Sequence, residues 1–137
     1  MNDMTTTEMI QAAKGYLQDR KPNDTTGDVA CALLSEKGSL FYGVCIDVGS
    51  GIGFCAEHSA IAAMVTAGER RISKIVAVWG VNNITVLPPC GRCREFMYQI
   101  DNNNLNTSVI ISETNVVKLK ELLPHCEPEK WNEENIS

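Results

Sequence analysis

The chain is 137 residues long with a formal net charge of −5. That is the length of one domain, enough to bury a core. The acidic balance, with no run rich in Lys or Arg, argues against a surface for phosphate backbones. No apolar stretch approaches the ~18 residues of a membrane span.

Met1-Asn2-Asp3-Met4-Thr5 has neither the basic nor the apolar region of a signal peptide, so a cytoplasmic protein is expected. Residues 4–19 predict a helix. Thr5 and Glu8 are spaced as a capping box, and Ile10, Ala13 and Leu17 fall on one face. Lys21-Pro22-Asn23-Asp24 ends it. Val29 to Leu34 is wholly apolar and predicts a buried strand. Glu36-Lys37-Gly38 turns the chain into a second strand, Leu40 to Val48, its hairpin partner. Side chains alternate along a strand. Phe41, Gly43, Cys45 and Asp47 therefore share the smaller, more polar face, which suits the wall of a ligand cavity. Asp47 also fits a plain solvated carboxylate at a strand end.

Gly49 to Gly53 reads as a flexible loop delivering Cys55 to the first turn of a helix that runs to about Ala67, with Gly68 as its C-terminal cap. Its composition is so apolar that a central, buried helix is expected. Ile72 to Trp79 is the next strand, and Gly80 to Leu87 a loop leading to Pro88-Pro89. A third helix spans Cys90 to about Ile100, with Cys93, Phe96, Met97 and Ile100 inward. Asp101 to Asn106 is a polar turn. Ser108 to Ser112 and Val116 to Leu119 are short strands, and Glu121-Leu122-Leu123-Pro124 closes an ordered core of about 4–124. A charged tail with Trp131 follows. This order predicts one α/β domain, 1–137, built around a mixed sheet.

In a cytosolic chain, the six cysteines are metal ligands or small core residues sooner than disulfides. Cys31 sits in the apolar strand and reads as core. Cys126, near the tail, is given no role. The other reading centres on Cys55-Ala56-Glu57 and Pro89-Cys90-Gly91-Arg92-Cys93. Cys55, Cys90 and Cys93 supply three zinc ligands and leave a fourth position open for water, the pattern of a catalytic site. Glu57 is placed to shuttle protons to and from that water. A Cys-x-Glu followed by Pro-Cys-x-x-Cys is the signature of zinc deaminases. Cys55 and Cys90 each begin a helix, where free N–H groups favour thiolates. Three thiolates leave zinc formally negative, so compensation is needed. Arg92, Arg94 and His58 are the candidate cations, although each also suits an ordinary surface or helix position.

These segments, with Glu121-Leu122-Leu123-Pro124, resemble the cytidine deaminase superfamily in its small three-cysteine form. The likeness runs from the Val29 strand to Pro124 and is greatest to the blasticidin-S deaminases. It implies a three-layer α/β/α sandwich with a mixed five-stranded sheet, and a homotetramer whose active sites are completed by neighbouring subunits, where Trp131 could reach an adjoining pocket. It also implies that the Ala56 N–H holds the ring carbonyl and that the Pro88 carbonyl receives the amine. This chain departs from the pattern at three places. Cys45-Ile46-Asp47 stands where cytidine deaminases carry Asn-x-Glu for the ribose, and a thiol cannot replace an amide's donors and acceptor. Gly27 stands where an aromatic would stack on the pyrimidine, and His58 where many relatives have Arg. The expected function is zinc-dependent release of ammonia from a cytosine-type ring of a small nucleoside or nucleoside antibiotic. Another small amino-heterocycle is the alternative substrate. A non-catalytic structural zinc protein would need a fourth ligand, for which His58 is the near candidate. The acidic charge weighs against nucleic-acid editing, and the Glu57 motif against a redox role for Cys90-x-x-Cys93.

Overall fold

The computed structural model describes residues 3–126; Trp131 lies outside them. Helix α1 (Thr6–Arg20) opens with the expected capping box. The Glu8 N–H donates to Thr5 Oγ1 at 3.1 Å, and the Thr5 N–H to Glu8 Oε1 at 2.8 Å. Strand β1 (Thr26–Ser35) is longer than its apolar run, because Asn23 Oδ1 accepts from the N–H groups of both Thr25 and Thr26 and organises the approach. β1 forms the predicted antiparallel hairpin with β2 (Leu40–Ile46) and is flanked on its other edge by β3 (Ile72–Trp79), also antiparallel.

β1 is apolar throughout because both its faces are covered. Ala30, Ala32 and Leu34 pack with Met9, Ile10, Ala13 and Leu17 of α1. Cys31 and Leu33 pack on the opposite side with Ala56, Ala60, Ile61 and Met64 of α2 (Ala56–Thr66) and Met97 of α3 (Gly91–Ile100). The result is the expected three-layer sandwich, with Cys31 in its core.

The sheet has six strands rather than five, in the order β2, β1, β3, β5 (Ser108–Ile110), β6 (Val116–Lys118), with β4 (Thr85–Leu87) also on β3. β5 (Ser108–Ile110) runs parallel to β3 after the α3 crossover but pairs only with Lys74 and Ile75. The rest of that edge is free for β4, which pairs antiparallel with Ala77, Val78 and Trp79. Three residues inside a predicted loop carry too little pattern to announce a strand. β6 (Val116–Lys118) completes the sheet, followed by the short helix α4 (Leu119–Leu122).

Two further expectations are revised. Asp101 to Asn106 is more than a polar turn, for Asn102–Asn106 form a 3₁₀ helix with Asn104 buried. The Asn104 side chain accepts from the Ile72 N–H at 2.8 Å and donates to the carbonyls of Arg70 and Met97 at 3.0 Å each, tying α3 to the start of β3. Helix α2 is buried on one face only; Ala62, Ala63 and Val65 are exposed. The buried face seats directly on β2 at Gly43, where any side chain would run into the backbone of Ala56 and Ala60.

Candidate active site

The loop after β2 closes on itself before α2 begins. Ile46 and Phe54 exchange N–H···O=C bonds of 2.9 Å in each direction. Gly53 lies against the Ile46 carbonyl with no room for a side chain. This pinned base presents Cys55 as the N-cap of α2 in extended backbone (φ −72°, ψ 159°), and Cys90 takes the same role on α3 (φ −69°, ψ 168°). The two thiols meet each other across the gap between the helices. Cys93, in the first turn of α3, is fully buried.

The three sulfurs lie within 4.8 Å of one another. The Sγ–Sγ separation is 3.5 Å for Cys55 and Cys90, and 3.4 Å for Cys90 and Cys93. A tetrahedral zinc with Zn–S bonds of about 2.3 Å sets its sulfurs about 3.8 Å apart, so the triplet fits this ion with a small expansion. Burial, then the neighbouring Cys90, raises the Cys55 thiol. Cys93 is raised further, by burial and by the charge of Glu57. Burial also works against ionising Cys90, but the Cys93 N–H and the two adjoining thiols bring it below the ordinary thiol value. A readily ionised thiol between two that a neighbouring positive charge would have to ionise is a donor set suited to a divalent cation.

Glu57 is 5% exposed and lines the same cavity as Cys55 and Cys90. Burial raises its carboxyl, opposed by its own backbone N–H and by Cys93. The three candidate cations separate. His58 Nδ1 lies 3.5 Å from Cys93 Sγ, and its ring stacks on Phe96 with centroids 4.1 Å apart. Burial, then Arg92, lowers the His58 pKa. Arg92 is exposed and lines the cavity. Arg94 turns elsewhere, donating to the Pro89 carbonyl at 3.0 Å and the Leu122 carbonyl at 3.3 Å; it braces the Pro89-Cys90 corner against α4.

The cavity measures about 930 Å³, toward the upper end of the roughly 300–1,000 Å³ usual for small-molecule sites. Ala56, Pro88, Cys45 and Asp47 line it, as the sequence suggested, and Phe41 does not. Phe41 shares the strand face of Cys45, but α2 lies across that face at Gly43 and leaves Phe41 packed on the core. Asp28, Phe54 and Trp79 are lining residues that the sequence reading missed. The Cys45 thiol donates to Asp28 Oδ1 at 2.9 Å and lies 3.4 Å from Asp47 Oδ2. Burial, then Asp28, pushes the Cys45 thiol up to about 11. Gly27 sits at φ 88° and is buried, a backbone position that disfavours an aromatic there.

Residues 4–109 match the family described as the cytidine and deoxycytidylate deaminase zinc-binding region. A cytidine deaminase of Mycoplasma genitalium is 36% identical over 96 residues, which cover 62% of this chain and 72% of that protein. The crystal structure of cytidine deaminase from Mycobacterium leprae superposes with a TM-score of 0.74 at 26% identity, covering 90% of this chain and 100% of the other. That from Burkholderia pseudomallei gives 0.71 at 26%, with the same coverage.

Proposed function

Because the chain belongs to the cytidine and deoxycytidylate deaminase family, we propose that it is a zinc-dependent hydrolase that releases ammonia from the cytosine-type ring of a small nucleoside. The observation that carries this reading is the meeting of three thiols within 4.8 Å with the Glu57 carboxyl on one cavity. A purely structural zinc would call for a fourth ligand. Among the described residues, the cysteine triplet has no fourth Cys, His, Asp or Glu within its group.

Cys55, Cys90 and Cys93 would hold the zinc, which when bound supplies Lewis acidity that makes water a nucleophile near neutral pH. Glu57 takes a proton from the attacking water and delivers it to the ring nitrogen as the carbon–oxygen bond forms at the amine-bearing carbon. Glu57 then carries the second proton to the amine. The carbon–nitrogen bond breaks, ammonia leaves and a ring carbonyl remains. The raised pKa of Glu57 suits a group that must both accept and return protons. On this reading the Ala56 N–H holds the ring carbonyl and the Pro88 carbonyl receives the amine, which the position of both residues on the cavity wall supports. The His58 ring, held by Phe96, sets Nδ1 beside Cys93 Sγ, where a proton on that nitrogen would offset thiolate charge. Arg92 adds positive charge at the rim.

The proposal extends to a cytoplasmic homotetramer with blasticidin S among the candidate substrates. No helix among the described residues is long and apolar enough to cross a membrane. Val48, Phe54 and Trp79 are exposed on the cavity wall, Ile52 and Val81 are exposed in neighbouring loops, and Val65 is exposed on the outer face of α2, which suits burial against further copies. The test is an ammonia-release screen of zinc-loaded protein against cytidine, deoxycytidine, cytosine, methylated cytidines, blasticidin S and other amino-heterocycles. Turnover confined to cytosine-type rings supports the proposal. Turnover of none, with zinc bound, would return the site to a structural role. Light scattering reads the assembly.

A further inference from the structure

Cys90 and Cys93 stand at the N-cap and in the first turn of α3, the helix that crosses between the parallel strands β3 and β5. A Cys-x-x-Cys pair opening the helix of such a unit is the arrangement of thiol–disulfide pairs as well as of metal ligands. The two sulfurs are 3.4 Å apart. Closing them to the S–S bond length takes an approach of roughly 1.4 Å. Cys90 has extended backbone and lies outside the helical turn, so the spacing that separates side chains three apart within a helix does not hold it away from Cys93.

Access singles out the same pair. Of the six cysteines Cys90 is the exposed one; Cys31, Cys45 and Cys93 are buried, and Cys55 and Cys126 lie between. Cys90 lines the cavity of about 930 Å³, which admits a small oxidant. Beside it Gly91 and Arg92 are exposed, and a side chain at Gly91 would meet open space, so nothing in the chain covers this start of α3. Cys93 is the buried thiol waiting behind the exposed one. Cys55 is also near, 3.5 Å from Cys90, but it belongs to another helix. That helix is fixed to the sheet by its seat at Gly43 and by the Ser59 hydroxyl, which donates to the Val44 carbonyl at 2.7 Å. A bond from Cys90 to Cys55 would have to draw two anchored helices together, whereas a bond to Cys93 stays within one turn.

We propose that Cys90 is an oxidative modification site, at which hydrogen peroxide closes a Cys90–Cys93 disulfide that excludes zinc and switches the deaminase off reversibly. The Cys90 sulfur attacks one peroxide oxygen, the O–O bond breaks, and the other oxygen leaves as water with the thiol proton. The Cys93 sulfur then attacks the Cys90 sulfur, the S–O bond breaks, and a second water leaves with the Cys93 proton. Two thiols together give up two electrons, and one peroxide takes them. Linked sulfurs are not thiolate ligands, so Cys55 alone remains of the triplet, too few to hold the metal. The exclusion of metal rests on the zinc reading of these cysteines; the link rests on their geometry and access.

The experiment treats the zinc-loaded full chain with hydrogen peroxide. It follows free thiols counted after denaturation, zinc passed to a chromogenic chelator, and disulfide-linked peptides by mass spectrometry. Free thiols fall from six to four, zinc is released in step, and the linked peptides are those of Cys90 and Cys93. A dithiol reductant with added zinc restores the thiols, the metal and ammonia release. Cys126→Ser gives the same release and the same link. Cys93→Ser leaves Cys90 as a sulfenic acid that a dimedone-type reagent traps; if that variant fails to fold, the peptide map of the unaltered chain decides. A link through Cys55 overturns the proposal, as does a loss that the reductant does not reverse. Zinc and ammonia release retained, with no link at peroxide levels that oxidise free cysteine, removes the switch and leaves the deaminase reading standing. Zinc lost to the Cys90–Cys93 link in a chain that never releases ammonia does the reverse. A reduced chain that binds no zinc overturns both.

Discussion

The two ends of the cavity are built by different means. At one end, three sulfurs and a carboxyl are set by two helix N-termini, each reached within a few residues of its own motif. At the other, Asp28, Cys45 and Asp47 come from two strands brought together by hairpin register. The chemistry end is local and repeats wherever its short motifs occur. The recognition end depends on which residues of β1 and β2 stand opposite, and a single displaced residue changes it. A fold can therefore keep one reaction while its substrate changes, because the two ends vary independently.

The sharpest way to break this division is to remove a sulfur. Cys55→Ala, Cys90→Ala or Cys93→Ala should each lower zinc content below one ion per chain and bring ammonia release to background. Metal analysis with the activity assay reads both. Full activity in any of the three would show that the chemistry end is not built from these ligands.

His58 tests compensation at the same end. His58→Ala should reduce activity or zinc affinity by about 10- to 100-fold, the usual cost of losing a partner to a metal ligand. Arg94→Ala should act differently, loosening the Pro89-Cys90 corner and lowering the melting temperature, because its bonds run to carbonyls. Equal effects on rate with no change in melting would merge the two roles.

Gly43 joins the ends, since it lets α2 seat on β2 between them. Gly43→Ala should cost about 1–3 kcal/mol, as overpacked sites do, seen as a lower melting temperature. An unchanged melting temperature would mean that α2 shifts freely on the sheet.

The smallest expected change concerns the recognition end. Asp47→Asn should alter the specificity constant for cytidine by less than about tenfold, because the amide keeps an acceptor oxygen for a sugar hydroxyl and the Cys45 thiol is committed to Asp28. A loss of about 10⁴-fold would show that this wall reads the sugar in the ordinary way.

The same contrast explains what was legible in the sequence. The Thr5–Glu8 capping box, the apolar run of β1, both cysteine-bearing helix starts and strand β3 all rest on patterns within a few residues of each other. β4 rests on the vacant part of an edge strand, which only the assembled sheet reveals. Alternation placed Phe41 beside Cys45 correctly, but the covering of that face by α2 at Gly43 is a tertiary fact. Asp28 was hidden by an irregularity in register. Ala30 pairs with Val44 while Thr26 pairs with Ile46, four residues on one strand against two on the other. A bulge of that kind re-aims a side chain without leaving a pattern to count. Helix α2 reads as apolar all round, yet half of it faces outward in the single chain.

The most direct test of the account is a paired measurement on the unaltered chain and Glu57→Gln, each assayed for zinc per chain and for ammonia released from cytosine-type nucleosides. The substitution keeps the size of Glu57 and removes its proton transfer. The account predicts one zinc per chain in both proteins and a rate at least about 100-fold lower in the variant. Equal rates at equal zinc content would contradict it.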